Sequence, residues 1–276
     1  MNLSEFFHTL PLLVVYVFSV LLVLCALAVG LYLGRRHLRT DREIKDASIG
    51  SAVAATLGML AFLLAFTFNM TASRFNDRKV LLLDEVNVIY TAYLRADFLQ
   101  EPAAGRARQL LAEYAAIRDI NPLKAAARDY AIARSAEIHR EIWSLVSKHI
   151  RDGYDPGYLR QFVEPFNAVI NDHNSRITVG LEYRIPGAIW VAIYFMTALA
   201  MLAIGFQFGV SRGGSLHVAL ALALTFSTVI LLIADLDRST EGTLLLDQRP
   251  MAELHLRLQE AEHRRTGGPP PVHDDG

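Results

Sequence analysis

Cysteine is almost missing from this chain. Cys25 is the only one, so no disulfide framework can form within a single copy. Nor is one sign of charge in surplus: 27 Lys and Arg stand against 28 Asp and Glu, a formal net charge of −1. No overall field therefore recruits nucleic acid or acidic partners. Nine histidines are present, but no HExxH, CxxC or His/Cys cluster places them at metal-ligand spacing. Glu137, His139 and Glu141 stand at i, i+2 and i+4, so only the glutamates share a helical face. The chain also lacks a Gly-rich phosphate loop, a nucleophile elbow and a pair of catalytic carboxylates. An enzyme is not expected, and no cofactor or metal is implied.

Apolar residues are abundant. The chain is 53% hydrophobic and 20% charged, with a mean hydropathy of +0.28, which points to the membrane class. Four uncharged stretches, 11–34, 47–73, 185–211 and 213–234, reach the length of about 20 residues that a bilayer crossing needs. The first has no basic region before it and no small-residue cleavage site after it, so it reads as a retained membrane helix.

The expected fold is an all-α integral membrane protein. Four transmembrane helices form two hairpins, and a helical extramembrane domain lies between the second and third. A basic loop, 35–46, joins the first two spans, and residues 74–184 form the central domain. That segment holds 16 Lys/Arg and 15 Asp/Glu, the mixed surface of a solvated domain. The second span should continue as helix well beyond the membrane, because no Gly or Pro follows Arg74 before Pro102. Further helices are expected over 105–120 and 123–150, and from Pro156 behind an Asp155 cap. A C-terminal segment, 235–265, contains a short helix, and 266–276 reads as a disordered tail. Orientation is not settled by charge. Five Lys/Arg in the first loop plus Arg212 face Arg74, Arg78, Lys79, Arg176, Arg184, Arg238 and Arg249 on the other side.

The second span carries the most informative pattern. Gly50, Ala54, Gly58, Phe62, Phe66, Met70 and Arg74 recur every four residues and lie on one slowly drifting stripe. Small residues at this spacing allow helices to approach closely in lipid. Gly30/Gly34, Gly205/Gly209 and Ala219/Ala223 have the same spacing. All of these read as packing seams by default. A polar ladder, Thr67, Asn69, Thr71 and Ser73, argues for more, since such groups need partners wherever water is excluded. Thr and Ser can bond back to their own helix, whereas Asn69 does so less easily and should face protein or water. Asn69 and Ser73 share a face with Phe62 and Phe66, at offsets of four, three and four. Arg74 marks the membrane boundary, where it can snorkel. Elsewhere, Asp84, Glu85 and Asn87 read as surface charge, or as an inter-subunit or vestibule contact. Asp172-His173-Asn174 reads as a solvated stretch of helix, and Asp235 and Asp237 as the interfacial end of the fourth span.

Phe62-x-Leu64-Ala65-Phe66, followed by Arg74-Phe75 and Arg78, resembles the signature of the second membrane helix of bestrophins, pentameric chloride channels with bacterial relatives. The resemblance implies that this helix lines a pore neck. Phe62 and Phe66 would be its aromatic constriction, and the third neck position falls on Gly58, where the family usually has a branched apolar residue. The acidic run that binds calcium in animal bestrophins is missing. LLAFTF, ASRF, DEVNVIYTAYLR (84–95), DLDR (235–238) and Glu241-Gly242 are more closely similar to a family of bacterial four-span proteins described as bestrophin-like. The resemblance also implies a cytosolic N-terminus and central domain, opposite to what the first loop's charges suggest. The expected protein is therefore a multi-pass protein of the plasma (inner) membrane. It would be a homo-oligomer, a pentamer by resemblance, that passes small inorganic ions. Gly58, Phe62 and Phe66 would form its neck, and Asn69, Ser73 and Arg74 its vestibule. A non-conducting membrane scaffold or sensor is the alternative.

Overall fold

The computed structural model describes residues 10–39, 46–119, 125–211, 216–238 and 242–266. Arg42 and Lys45 of the basic loop, the Asn121-Pro122 stop, Arg212, Glu241 and the tail from 267 lie outside the described residues. The described chain is all-helical. Its helices are α1 (Leu12–Leu38), α2 (Asp46–Arg95), α3 (Ala103–Arg118), α4 (Ala125–Arg151), α5 (Pro156–Ile177), α6 (Gly187–Val210), α7 (Leu216–Asp237) and α8 (Arg249–Thr266). A short 3-10 turn follows α2, and a π turn over Thr178–Glu182 follows α5. Four helices, α1, α2, α6 and α7, are long and apolar enough to cross a membrane. At 50 residues α2 is the longest, about 75 Å at 1.5 Å per residue. It runs unbroken past Arg74, as the lack of Gly and Pro there leads one to expect.

The chain divides into two compact units. The first comprises the residues up to Phe75, Arg184–Arg238 and Gly242–Leu244. Its closest helix pair is α1 against α6, and glycine makes it possible. A Cβ on Gly30 would stand 2.1 Å from the Leu202 carbonyl oxygen, and one on Gly34 would stand 2.3 Å from that of Phe206. From the other side, Gly205 and Gly209 would meet the Leu27 and Leu31 carbonyls at 2.2 and 2.6 Å. The four glycines are thus one seam in which the two backbones touch. Nearby, the Ser19 hydroxyl bonds the Val15 carbonyl at 2.8 Å and lies 3.2 Å from the Tyr194 hydroxyl. Val23, Leu27, Leu60, Leu64, Ile193, Met201, Ile230 and Ile233 fill the core.

DLDR, at the end of α7, is a structural lock. Asp235 accepts from the Thr243 amide at 2.9 Å and from its hydroxyl. Gly242 makes that turn at φ 116, and a Cβ there would strike the Asp235 carboxylate. Asp237 accepts from the Ile185 amide at 3.0 Å, and Arg238 donates to the Leu10 carbonyl. Both aspartates are buried, each satisfied by bonds that close the end of α7.

The second unit contains Asn76–Tyr183 and the chain from Leu245 onward. The later part of α2 contributes Leu82, Ile89 and Tyr93 to a core shared with Leu110, Tyr114, Ile142, Phe162 and Phe166. Asp155 caps α5 by accepting from the Gly157 amide, with Pro156 at the first helical position. One face of α8, Met251, Leu254 and Leu258, is buried in the same core. Tyr93 donates to Glu262 at 2.6 Å and Arg265 to Asp97 at 2.8 Å, which pins the helix at its far end.

Candidate functional site

Within the first unit, α2 has two unlike faces. Val53, Leu60, Leu64, Thr67 and Thr71 are buried, spaced as a heptad seam facing the neighbouring helices. Gly58, Phe62, Phe66, Asn69 and Ser73 are all exposed. Phe62 is 69% and Phe66 56% exposed, and their rings stack at 6.4 Å between centroids. The polar ladder divides between these faces. Thr67 turns inward and bonds the Leu63 carbonyl at 2.8 Å, and Thr71 bonds that of Phe68 at 2.8 Å. Asn69 and Ser73 remain on the outer face with the phenylalanines. A Cβ on Gly58 would find nothing within 4 Å, so its small size serves no contact among the described residues. Arg74 reaches inward to Asp237, at 3.7 Å.

A second cluster lies inside the second unit. Glu85, on α2, is fully buried. It accepts from the Tyr114 hydroxyl, from Arg176 and, at 3.4 Å, from Arg118. Burial pushes the Glu85 carboxyl up, but Arg118, Arg176 and the Tyr114 hydrogen bond outweigh it and hold the group down at about 2. An ionised carboxylate only accepts, so the Tyr114 O–H points at Glu85 and the Tyr114 oxygen accepts from Nδ1–H of His173, 3.0 Å away. His139 stands edge-on to His173 at 5.0 Å. Burial first, and then the neighbouring Arg118, pull His139 down to about 4 and His173 to about 3. Both rings are therefore neutral at pH 7, and one carboxylate is shared by two guanidinium groups.

The family model for the bestrophin-like domain matches residues 12–249, nearly the whole described chain. The chain belongs to the bestrophin-like family. Solved structures share the fold of this bestrophin-like protein. A bacterial bestrophin homologue from Klebsiella pneumoniae has a TM-score of 0.63 at 13% identity, covering 92% of this chain and 99% of that one. A point mutant of such a homologue from the same organism has a TM-score of 0.66 at 12% identity, covering 93% and 98%. At this identity the likeness is one of fold. No curated protein matches the chain.

The structure corrects the sequence reading at Glu85 and His173. Neither is on the surface: Glu85 is 0% and His173 4% exposed. Sequence carried one signal of this, the period of α2. Leu82, Glu85, Ile89, Ala92 and Ala96 are all buried at spacings of three and four, so Glu85 occupies a core position of its helix.

The neutral histidines make stability depend on pH. Between pH 6.5 and 4 the unfolded chain binds protons at His139 and His173 that the folded chain refuses. Their contribution is therefore intact above pH 7 and lost as pH falls, and Glu85 adds to the loss only below about pH 4.5. Lowering pH from 7 to 5 is expected to cost about 2 kcal/mol per histidine. Thermal unfolding in detergent across that range should show it, and His139→Phe should flatten the dependence by about half. A midpoint that does not move between pH 7 and 5 would contradict the buried, neutral assignment.

Proposed function

We propose that this protein is an oligomeric ion channel in which α2 lines the pore and Phe62 and Phe66 form its hydrophobic constriction. The carrying observation is the outer face of α2: two stacked phenylalanines followed, on the same stripe, by Asn69 and Ser73, all of them exposed among the described residues. A purely apolar stripe would suit lipid, but an exposed Asn is costly there and is better placed against water or another copy. A ring of phenylalanines that gates by dewetting, leading into a wetter vestibule, satisfies both. Gly58 would be the wide third neck position, and Arg74, held by Asp237, would lie where the vestibule opens. In this reading the protein sits in the plasma membrane, the four apolar helices pair as two hairpins, and residues 74–184 stand outside the bilayer. Five copies around an axis, passing small inorganic ions, are what the bestrophin resemblance implies.

Exposed Ala54 and Gly58 on the same stripe favour a second reading, a non-conducting assembly in which two α2 helices pack closely. Replacing Phe62 and Phe66 together by Ala separates the two. A pore should leak more, because smaller side chains admit continuous water, and liposome flux should rise. A packed seam should instead lose about 3–5 kcal/mol per phenylalanine. A double variant that assembles normally and passes no ions, like a silent wild type, overturns the channel.

A further inference from the structure

Where both flanking residues are described, the chain crosses between its two units in α2 at residues 75–76, after α5 at 183–184, and before α8 at 244–245. Each of these crossings has one residue in or beside the Glu85 cluster: buried Glu85 on α2, and half-buried Arg176 on α5 and Gln248 just before α8. The Arg176 guanidinium joins them. One Nη contacts Glu85, and the other donates to Gln248 Oε1 at 3.5 Å. Arg118 also pairs with Glu85, at 3.3 Å, but sits on α3, which is not part of any crossing.

We propose that Arg176 is a positioning residue that fixes the rotation of α2 within the second unit by tying it to α5 and to the segment just before α8. No Gly or Pro interrupts α2 between Phe62 and Glu85, so its rotation at Glu85 is carried back along the helix to Phe66 and Phe62, about five and six turns earlier. The role rests on the channel reading only where conduction is measured.

Charge bookkeeping supplies the control. With Glu85 ionised and two arginines beside it, the cluster carries a net +1. Arg176→Gln and Arg118→Gln each bring it to zero, and each leaves Glu85 with one guanidinium and Tyr114. The two variants are electrostatically matched, both retain a paired carboxylate, and only one cuts the tie.

Hydrogen exchange on the full-length protein in detergent is the decisive measurement. In Arg176→Gln, amides over residues 76–84 and those of Met251 and Ala252, which donate to the Gln248 carbonyl, should exchange about tenfold faster, the equivalent of one charge-assisted hydrogen bond. In Arg118→Gln they should not, although both variants unfold at a similar temperature. Arg176→Lys keeps the charge at Glu85 but cannot also reach Gln248. It should restore protection over 76–84 and leave Met251 and Ala252 fast. In liposomes, Arg176→Gln should change ion flux while Arg118→Gln leaves it near the wild-type value. Equal exchange in the two glutamine variants, raised or not, overturns the proposal. A wild type that passes no ions overturns the channel reading instead, and the exchange result still decides the role of Arg176.

Discussion

Gly205→Val should destabilise the first unit by about 3 kcal/mol or more, at or above the upper end of what overpacking costs. The obstacle is backbone: a Cβ at Gly205 would lie 2.2 Å from the Leu27 carbonyl oxygen and 3.0 Å from its Cα. Backbone cannot rotate away as a side chain can, so α1 and α6 must separate along their shared length. That loosens the contacts of Gly30, Gly34 and Gly209 as well. Gly58→Ala is the matched control, because a Cβ there meets nothing within 4 Å. It should gain up to about 1 kcal/mol from better helix propensity. Thermal unfolding of the two variants in one detergent makes the comparison. Similar midpoints for both would contradict the seam.

Glu85→Gln is expected to cost about 3–5 kcal/mol, because it strands Arg118 and Arg176 without their shared buried counter-charge. Asp84 is adjacent in sequence and exposed, and Asp84→Asn should change stability by no more than about 0.5 kcal/mol. Two neighbouring acids with such different effects separate a buried carboxylate shared by two arginines from an exposed one. The result that would count against the cluster is a Glu85→Gln protein as stable at pH 7 as the wild type.

What could be read in advance follows the range over which each feature is encoded. The unbroken α2, the Asp155 cap and the small-residue spacing at Gly30/Gly34 and Gly205/Gly209 are local patterns, so the sequence displays them directly. The shared face of Phe62, Phe66, Asn69 and Ser73 follows from helical spacing in the same way. Which two glycine pairs meet is not local, since Gly30 and Gly205 are brought together only by the fold. The Glu85 cluster is hidden for the same reason: Tyr114, Arg118 and Arg176 stand 29, 33 and 91 residues away. Beside Asp84 and Asn87, Glu85 has the composition of a wet surface, and only the spacing of Leu82 and Ile89 on either side argues otherwise. Arg74 shows a related limit. A cation at the end of an apolar run suggests a boundary, while its partner, Asp237, is decided by where α7 ends.

The glycine seam also sets a timetable for biogenesis. Gly205 is 175 residues after Gly30, so at about 5–20 residues per second the ribosome makes the partner of α1 roughly 10–35 s after α1 itself. During that interval the flat glycine face of the first helix has no backbone to meet. Docking of α1 is therefore a late step, completed after the central residues have been synthesised. A chain truncated before α6 should leave α1 accessible to lipid-phase crosslinkers at Gly30 and Gly34.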